Sequence, residues 1–270
     1  MRGPSRASLA EARQRLSEAV TSAAVARTLG EELFAILELL DEQSALRRAL
    51  AEGSRRPQAR SELARRLLGG QVSDVTLDLF ASMCEARWSG AADLTDAVEQ
   101  LAVTAFAAAA ERARHLDDLE DQLFRFGRVV MGAPELRAVL SNPTITAQYK
   151  RPLLDTLLEG KVTADARRLI GQAAEHPRGR SLDATLEDYA RVAAQWRQRL
   201  VALARVAIPL TGRQRERLIA ALESACGHEV HLNVIVDPRV EGGISVQIGD
   251  EFIDGSVASR LAELRRSLAA

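Results

Sequence analysis

The chain has 270 residues, of which 47% are hydrophobic and 27% are charged, and its formal net charge is -1. The 4% of aromatic residues is too low for the stacking platforms of a single-stranded nucleic-acid binder, and the balanced charge provides no strong field for DNA or an anionic membrane. No apolar run reaches the roughly 18 residues of a membrane-spanning helix, and no secretory apolar segment follows Met1. We therefore expect a chain of two or three domains that neither binds nucleic acid nor inserts into a membrane.

Helical patterns fill the chain up to about Leu200. Two capping boxes, at Ser8 with Glu11 and at Thr28 with Glu31, predict helix starts. Pro57 suits a first helical turn. Further helix starts are predicted at the following residues: Ser73, Asp93 or Thr95, Thr146, Thr163 and Ser181.

An internal repeat spans this helical part. Several apolar anchors recur at an offset of 90, such as Leu29 with Leu119 (119 − 29) and Phe34 with Phe124 (124 − 34). Anchors that share one offset indicate a duplicated helical unit. We therefore predict two tandem helical bundles, one over residues 1–92 and one over residues 93–200.

A change of period marks the end of the helical part. Residues 201–208 read as a strand, a capping box at Thr211 with Gln214 starts a helix, and alternating apolar residues predict strands over 231–236 and 244–248. A short strand over 251–253 and a final amphipathic helix from Ser256 complete the pattern. The predicted fold is mainly α, with two tandem helical bundles followed by a mixed-sheet α/β module over residues 201–270.

Reactive constellations are missing from the sequence. His228, Glu229 and His231 form the only histidine cluster, at a predicted junction of helix and strand where the rings need not converge on a metal. The glycines near Gly242 fit hairpin turns, since no Lys-Ser or Lys-Thr follows them as in a phosphate loop. Cys84 and Cys226 lie far apart and read as buried thiols. We therefore predict no catalytic residue, no cofactor and no metal.

The tail of the chain carries a specific pattern. It contains Val236-Asp237, Gly242-Gly243-Ile244, Ile248-Gly249-Asp250 and Ile253-Asp254-Gly255-Ser256-Val257, followed by Arg260-Leu261. This pattern resembles the δ subunit family of F-type ATP synthase, known in mitochondria as the oligomycin-sensitivity-conferring protein. Leu136, Leu140 and Asn142-Pro143 also look like its amino-terminal domain. The resemblance covers about residues 93–270, and the additional first bundle looks like the longer actinobacterial δ subunits.

The resemblance implies a mechanical role. A subunit of this kind is a non-catalytic part of the stator: it links the catalytic α/β head to the peripheral stalk, so that proton flow drives ATP synthesis. One copy per complex would sit peripherally at the cytoplasmic face of the bacterial plasma membrane. Its helical domain would hold N-terminal helices of α subunits, and its C-terminal module would bind the b subunit.

The same resemblance assigns residues to these roles. The structural family motif comprises Asp237, Gly242, Gly243, Gly249, Asp250, Asp254, Gly255 and Ser256. The groove for the α-subunit helix would be lined by Val98, Ala102, Ala105, Phe106, Ala109, Leu169 and Ile170. Contacts with the b subunit would come from Leu261, Leu264 and Leu268. For each groove residue, a place in the bundle core is the alternative interpretation.

Two other functions fit the residues without the resemblance. The chain is also consistent with a generic helical-repeat adaptor that binds an amphipathic partner helix. The third possibility is an enzyme whose site assembles from scattered residues. Co-purification with a membrane complex separates the stator subunit from both alternatives.

Overall fold

The structure, a computed structural model, describes residues 3–53, 55–142, 144–197, 200–226, 230–237, 243–248 and 251–254. The chain forms two compact units, Met1–Trp196 and Arg197–Ala270. The first is helical and the second combines a sheet with a helix, as the sequence predicts. This confirms the predicted fold class.

Helices follow one another through the first unit. Their bounds are α1 Gly3–Ala19, α2 Ala23–Glu42, α3 Ser44–Ala51, α4 Pro57–Leu68, α5 Asp74–Glu85, α6 Ala91–Arg112, α7 Leu116–Gly132, α8 Pro134–Ser141, α9 Ala147–Leu158, α10 Ala164–Glu175 and α11 Leu182–Arg197. The helices α8, α9 and α10 each begin 90 residues after α3, α4 and α5 (134 − 44, 147 − 57 and 164 − 74). The element bounds therefore repeat at the offset that the sequence anchors predict.

Side-chain contacts repeat at the same offset. Glu32 accepts hydrogen bonds from the Ser73 backbone N–H at 2.8 Å and from its Oγ at 2.7 Å, at the start of α5. In the second repeat, Gln122 accepts from the Thr163 backbone N–H at 2.8 Å and from its Oγ1 at 3.1 Å, at the start of α10. Each pair fixes a helix N-terminus to the second helix of its repeat.

Two buried cations are a second repeated feature. The Arg60 guanidinium donates to the carbonyl oxygens of Glu85 and Ala86, where α5 ends. Its counterpart Lys150 donates from Nζ to the Ala174 carbonyl oxygen at 2.9 Å, near the end of α10. Both side chains satisfy orphan carbonyl groups at a helix C-terminus, where the helix dipole favours positive charge.

Several predicted helix starts need correction. Ser8 lies inside α1, and its Oγ donates to the Arg87 carbonyl oxygen instead of capping. Thr28 lies inside α2, which Ser22 caps. The helix predicted from Asp93 or Thr95 begins at Ala91, and Asp93 accepts a hydrogen bond from Ser5 Oγ. At Ser8 and Asp93, a contact from elsewhere in the fold takes the polar group that a local cap would use.

The second unit contains a four-stranded sheet among its described residues. The strands β1 Leu200–Val206, β2 Val230–Val236, β3 Ile244–Ile248 and β4 Glu251–Asp254 lie in the order β2-β1-β3-β4, and α12 Gly212–Cys226 connects β1 to β2. The β1–β2 pair is parallel, whereas β1–β3 and β3–β4 are antiparallel. The hydrophobic core of this second unit consists, among the residues described, of Ala204, Leu222, Leu232 and Val246.

The core of the helical unit is continuous. Buried side chains from α1 through α11 belong to one hydrophobic cluster, which extends from Leu9 to Ala193 among the residues described. α6 lies in its middle, with all side chains from Leu101 to Ala110 buried. The division between repeats at residue 92 stays a prediction about the sequence, since the two repeats pack as one compact unit.

Candidate functional site

α6 and α10, which carry the predicted partner groove, lie beneath α2. Gly30 stands at the closest approach of α2 to α6: a Cβ atom there would lie 2.7 Å from Phe106 Cε2 and 3.3 Å from the Ala102 carbonyl oxygen. One helical turn further along, the Phe34 and Phe106 rings stack with centroids 5.9 Å apart. Arg112 near the end of α6 donates to the Val20 carbonyl oxygen just before α2, so the two helices run antiparallel. α2 therefore covers α6 along its length.

Ion pairs tie α2 to α10. Arg27 binds the buried Asp165 with Nε–Oδ1 and Nη2–Oδ2 distances of 2.7 and 2.9 Å. Arg168 pairs with Glu31, at 2.7 Å from Nε to Oε2, and its Cζ lies 4.9 Å from the centre of the Phe34 ring. The charged side chains of α2 and its apolar side thus both contact other residues of this chain.

Asp165 is the charged centre of this contact. Its side chain is 2% exposed, and it lies 3.0 Å from His115 Nε2 as well as close to Arg27. Burial raises the pKa of the Asp165 carboxyl, but the hydrogen bonds and charges of Arg27 and His115 outweigh it, so its pKa lies below the usual value. The carboxylate is therefore ionised and paired at neutral pH.

The seven predicted groove residues are interior side chains. Each is between 0% and 2% exposed: Val98, Ala102, Ala105, Phe106, Ala109, Leu169 and Ile170. They do not line an open groove, because α2 packs over α6 and is tied to α10. The small alanines that the sequence interpretation reserved for a partner helix allow the close approach of the chain's own α2. Their contact with an α subunit stays a prediction that requires α2 to move.

A buried polar cluster is the feature that sequence reasoning missed. Arg178 and Arg180, which lie between α10 and α11, both donate to the buried carboxylate of Glu99. Tyr189 Oη also donates to Glu99, at 2.8 Å. Burial and the Glu99 carboxylate raise the pKa of Tyr189 well above its usual value, so the hydroxyl stays protonated and remains a donor. Glu99 follows an apolar residue in a helix, and no sequence pattern reveals its partners.

The family motif lies only partly in the described residues. The Asp237 backbone N–H donates to the Val206 carbonyl oxygen at 2.9 Å. Gly243 has a φ of +82°, in the left-handed region that favours glycine, and Asp254 pairs with Ser245 in the β3–β4 register. The other motif residues and the predicted b-subunit contacts lie outside the described residues: Gly242, Gly249, Asp250, Gly255, Ser256, Leu261, Leu264 and Leu268.

Reactive groups are sparse in the part of the chain that the structure describes. Those residues contain no group of three or more His, Cys, Asp or Glu side chains placed to hold a metal ion. Burial raises the pKa of the Cys84 thiol to about 12, which leaves little of the reactive thiolate at neutral pH. Among the same residues, no helix has the length and apolar character needed to cross a membrane.

Comparison with known proteins identifies the family. The family model described as ATP synthase delta (OSCP) subunit matches residues 98–268. ATP synthase subunit delta of Streptomyces griseus subsp. griseus is 47% identical over 270 residues, which cover 100% of both chains. The same-named subunit of Thermobifida fusca is 45% identical over 269 residues, again covering 100% of both.

A solved structure provides a weaker similarity. A chain of the Toxoplasma gondii mitochondrial ATP synthase hexamer matches with a TM-score of 0.26 and 22% identity, covering 62% of this chain and 97% of that chain. A similarity at this level carries no argument about function. The family model and the full-length relatives are sufficient: the chain belongs to the ATP synthase delta (OSCP) subunit family.

Proposed function

We propose that this chain links the catalytic α/β head of an F-type proton-translocating ATP synthase to the peripheral stalk. Its full-length similarity to ATP synthase δ subunits is the observation that carries this proposal. The chain is a non-catalytic, coupling subunit of the stator, which keeps the head from turning with the rotor. Because the chain belongs to the ATP synthase delta (OSCP) subunit family, we reject the alternative of an unrelated helical-repeat adaptor.

The two compact units suit two different partners. The helical unit Met1–Trp196 is the proposed site for the α subunits, and the unit Arg197–Ala270 is the proposed site for the b subunit. A single copy, held peripherally at the cytoplasmic face of the plasma membrane, completes the proposal. An α-subunit helix would reach the seven groove residues only in exchange for α2, because those side chains are buried beneath it.

Bridging of head and stalk by the full-length chain tests this function. The soluble part of the b subunit from the same organism is immobilised, and head complex prepared without this chain is passed over it. Retention of the head only when the chain is added is the expected result. Retention without the chain, or failure of the chain to bind either partner, would reject the linking role.

A truncated chain tests the division of labour. Removal of residues 256–270 takes away the predicted b-subunit contacts Leu261, Leu264 and Leu268. The truncated chain is expected to lose binding to the b subunit and to keep binding to the head. If b-subunit binding survives the truncation, the contact lies elsewhere in the chain.

A further inference from the structure

The segment that contains α3 and α4 is strongly basic. Residues 44–68 hold seven arginines and two acidic residues, a formal net charge of +5 (7 − 2). The same segment one repeat later, residues 134–158, holds three basic and two acidic residues, a net charge of +1 (3 − 2). Both segments form an equivalent pair of helices, α3 with α4 and α8 with α9. The fold of the repeat therefore does not require the additional arginines.

Only some of these arginines are used within the chain. Arg60 donates to the carbonyl groups at the end of α5, and Arg65 pairs with Asp78 at 2.7 Å. Three exposed arginines make no ion pair or side-chain hydrogen bond in the part of the chain that the structure describes, namely Arg48, Arg56 and Arg66. Unpaired arginines that the fold does not need mark a surface for a partner.

A cleft lies beside α3, where the basic segment faces the connection between α5 and α6. It has a volume of about 590 Å³, and Arg48, Arg55 and Trp88 line it. We call it the α3 cleft. Its walls also contain four small apolar residues: Ala45, Ala49, Ala51 and Ala91. A cleft of this size can receive a few side chains of a partner.

The charge of the α3 cleft favours an acidic partner. One acidic residue, Glu52, also lines the cleft, but its carboxylate lies 3.7 Å from Arg55 Nε and both side chains are 54% exposed. An ion pair of this kind contributes little, so an arriving carboxylate can compete for Arg55. Arg48 has no competing partner among the described residues. Arginine binds carboxylates through two parallel hydrogen bonds, which gives such a contact a defined geometry.

The shape of the α3 cleft favours a polypeptide over a nucleic acid or a membrane. Trp88 is only 8% exposed, and its Nε1 is bonded to the Met83 carbonyl oxygen, so its ring offers no open platform for stacking bases. A concave site with alanine walls receives separate side chains, whereas a lipid surface is broad and binds clusters of basic residues at its interface. Tryptophan and arginine are also enriched among the residues that contribute most to protein–protein binding.

We propose that the α3 cleft binds an acidic segment of another polypeptide. The carboxylates of that segment pair with Arg48 and Arg55, and its apolar side chains lie against the alanine walls beside Trp88. This contact gives the first repeat a partner of its own. The inference does not depend on the linking role, because it rests on the charge and the shape of this cleft.

The fluorescence of Trp88 tests the proposal in a full-length chain in which Trp196→Phe removes the other tryptophan. The probe is a short peptide with the repeating unit Glu-Glu-Leu and blocked ends. A saturable change in Trp88 emission is the expected result. Arg48→Glu with Arg55→Glu is expected to weaken binding at least about tenfold, because two attractive charges become repulsive. The circular dichroism spectrum is expected to stay unchanged, since both side chains are exposed.

Arg128→Glu with Arg137→Glu is the matched control. Both arginines are exposed in the second repeat and, like Arg48, make no ion pair within the described residues. The control changes the net charge by the same amount, but neither residue lines the α3 cleft. It is expected to change the affinity less than about twofold. Equal loss of binding in both double variants would show a general attraction between opposite charges and would overturn the inference.

The remaining outcomes also decide the matter. If the peptide does not bind, or binds without a change in Trp88 emission, the inference is wrong and the linking role is unaffected. Vesicles of phosphatidylcholine with phosphatidylglycerol and a single-stranded oligonucleotide are tested in the same way. If either binds more tightly than the peptide and loses binding in the Arg48→Glu with Arg55→Glu chain, the partner is a membrane or a nucleic acid, contrary to the inference.

Discussion

Gly30 determines how closely α2 approaches α6. Glycine in the interior of a helix normally costs about 0.5–1 kcal/mol relative to alanine, because it loses more backbone entropy on folding. Here the missing side chain is what makes room for the Phe106 ring, which would otherwise lie 2.7 Å from a Cβ atom. The ring is buried and stacked on Phe34, so it has little freedom to retreat.

We expect Gly30→Ala to destabilise the helical unit by about 1–3 kcal/mol, since overpacking outweighs the gain in helix propensity. Gly127→Ala is the matched control, because its new Cβ would have Leu186 Cβ at an ordinary 3.9 Å, and it is expected to stabilise by up to about 1 kcal/mol. Urea denaturation followed by circular dichroism measures both. A stabilising Gly30→Ala would show that α2 sits further from α6 than described.

Asp165 gives the helical unit a dependence on pH. Its folded-state pKa is depressed below the unfolded value, so the stability from its pairing with Arg27 and His115 is present above about pH 4. That stability is lost as the pH falls through the lowered pKa, because protonation removes the charge that both partners bind.

Asp165→Asn is therefore expected to lower the stability at pH 7 by about 2 kcal/mol, as expected for a hydrogen-bonded buried charge. The difference from wild type is expected to shrink as the pH falls below about 4. Denaturation midpoints from pH 7 to pH 3 measure it. As a control, Asp78→Asn removes an exposed partner of Arg65 and should change little at any pH; a difference for Asp165→Asn that does not vary with pH would contradict the assignment.

Equivalent elements of the two repeats meet different surroundings. α2 is covered on its Phe34 side, whereas α7 exposes Phe124. The helices α5 and α10 differ in the same way: Asp165 is 1% exposed beneath α2, while its counterpart Val75 is 37% exposed. The duplicated helical unit thus buries Phe34 and Asp165 within the chain, whereas the equivalent residues Phe124 and Val75 stay exposed.

Locking α2 in place tests whether the groove beneath it serves the head. Glu31→Cys and Arg168→Cys, whose native side chains pair at 2.7 Å, are joined by a short bismaleimide in a Cys226→Ser chain. Cys84 should not react, because it is buried and its pKa is about 12. We expect the affinity for the head complex to change less than twofold after cross-linking. Binding that required release of α2 would expose the Phe34–Phe106 pair and break the ion pairs between α2 and α10.

The same double-cysteine chain without cross-linker is the control for the substitutions themselves. Loss of head binding only in the cross-linked chain would restore the sequence-based assignment of Val98, Ala102 and their neighbours to an α-subunit helix. Retained binding would leave these residues the role of holding α2.

At the scale of the whole molecule, one hydrophobic cluster spans both repeats. A core shared through α6 predicts that the repeats unfold together, since opening either one would expose buried residues of the other. The two tryptophans report on its two ends. Trp88 lies between α5 and α6, bonded to the Met83 carbonyl oxygen, and Trp196 lies on α11, bonded to Glu111.

The paired substitutions Leu33→Ala and Leu123→Ala test this cooperativity, because the two leucines are repeat counterparts and both are 0% exposed. Each substitution is expected to lower the free energy of unfolding by about 2–5 kcal/mol. It is also expected to shift the urea midpoint that is measured by tryptophan fluorescence by the same amount at both tryptophans. Single-tryptophan chains, Trp88→Phe and Trp196→Phe, report the two ends separately. If each leucine shifts only the tryptophan of its own repeat, the repeats are independent bundles.

Much of the fold was predictable from local pattern. Ser73, Thr163 and Thr211 cap the helices that they were predicted to start, and the strand pattern after Leu200 became a mixed sheet. The offset of 90 predicted the repeated helix bounds. These features depend on residues a few positions apart, or on the comparison of two stretches of the chain. Both kinds of information can be read directly from the amino-acid sequence.

The sequence by itself thus determined the elements, the duplication and, through the motif near Gly243, the family. Only the tertiary structure decided that α2 covers the predicted groove, that Glu99 gathers Arg178, Arg180 and Tyr189, and that Phe124 stays exposed while Phe34 is buried. Helical periodicity reveals which side of a helix is apolar, but many partners can satisfy the same apolar side. The choice among them depends on close packing and on burial of paired charges between residues that are far apart in the chain.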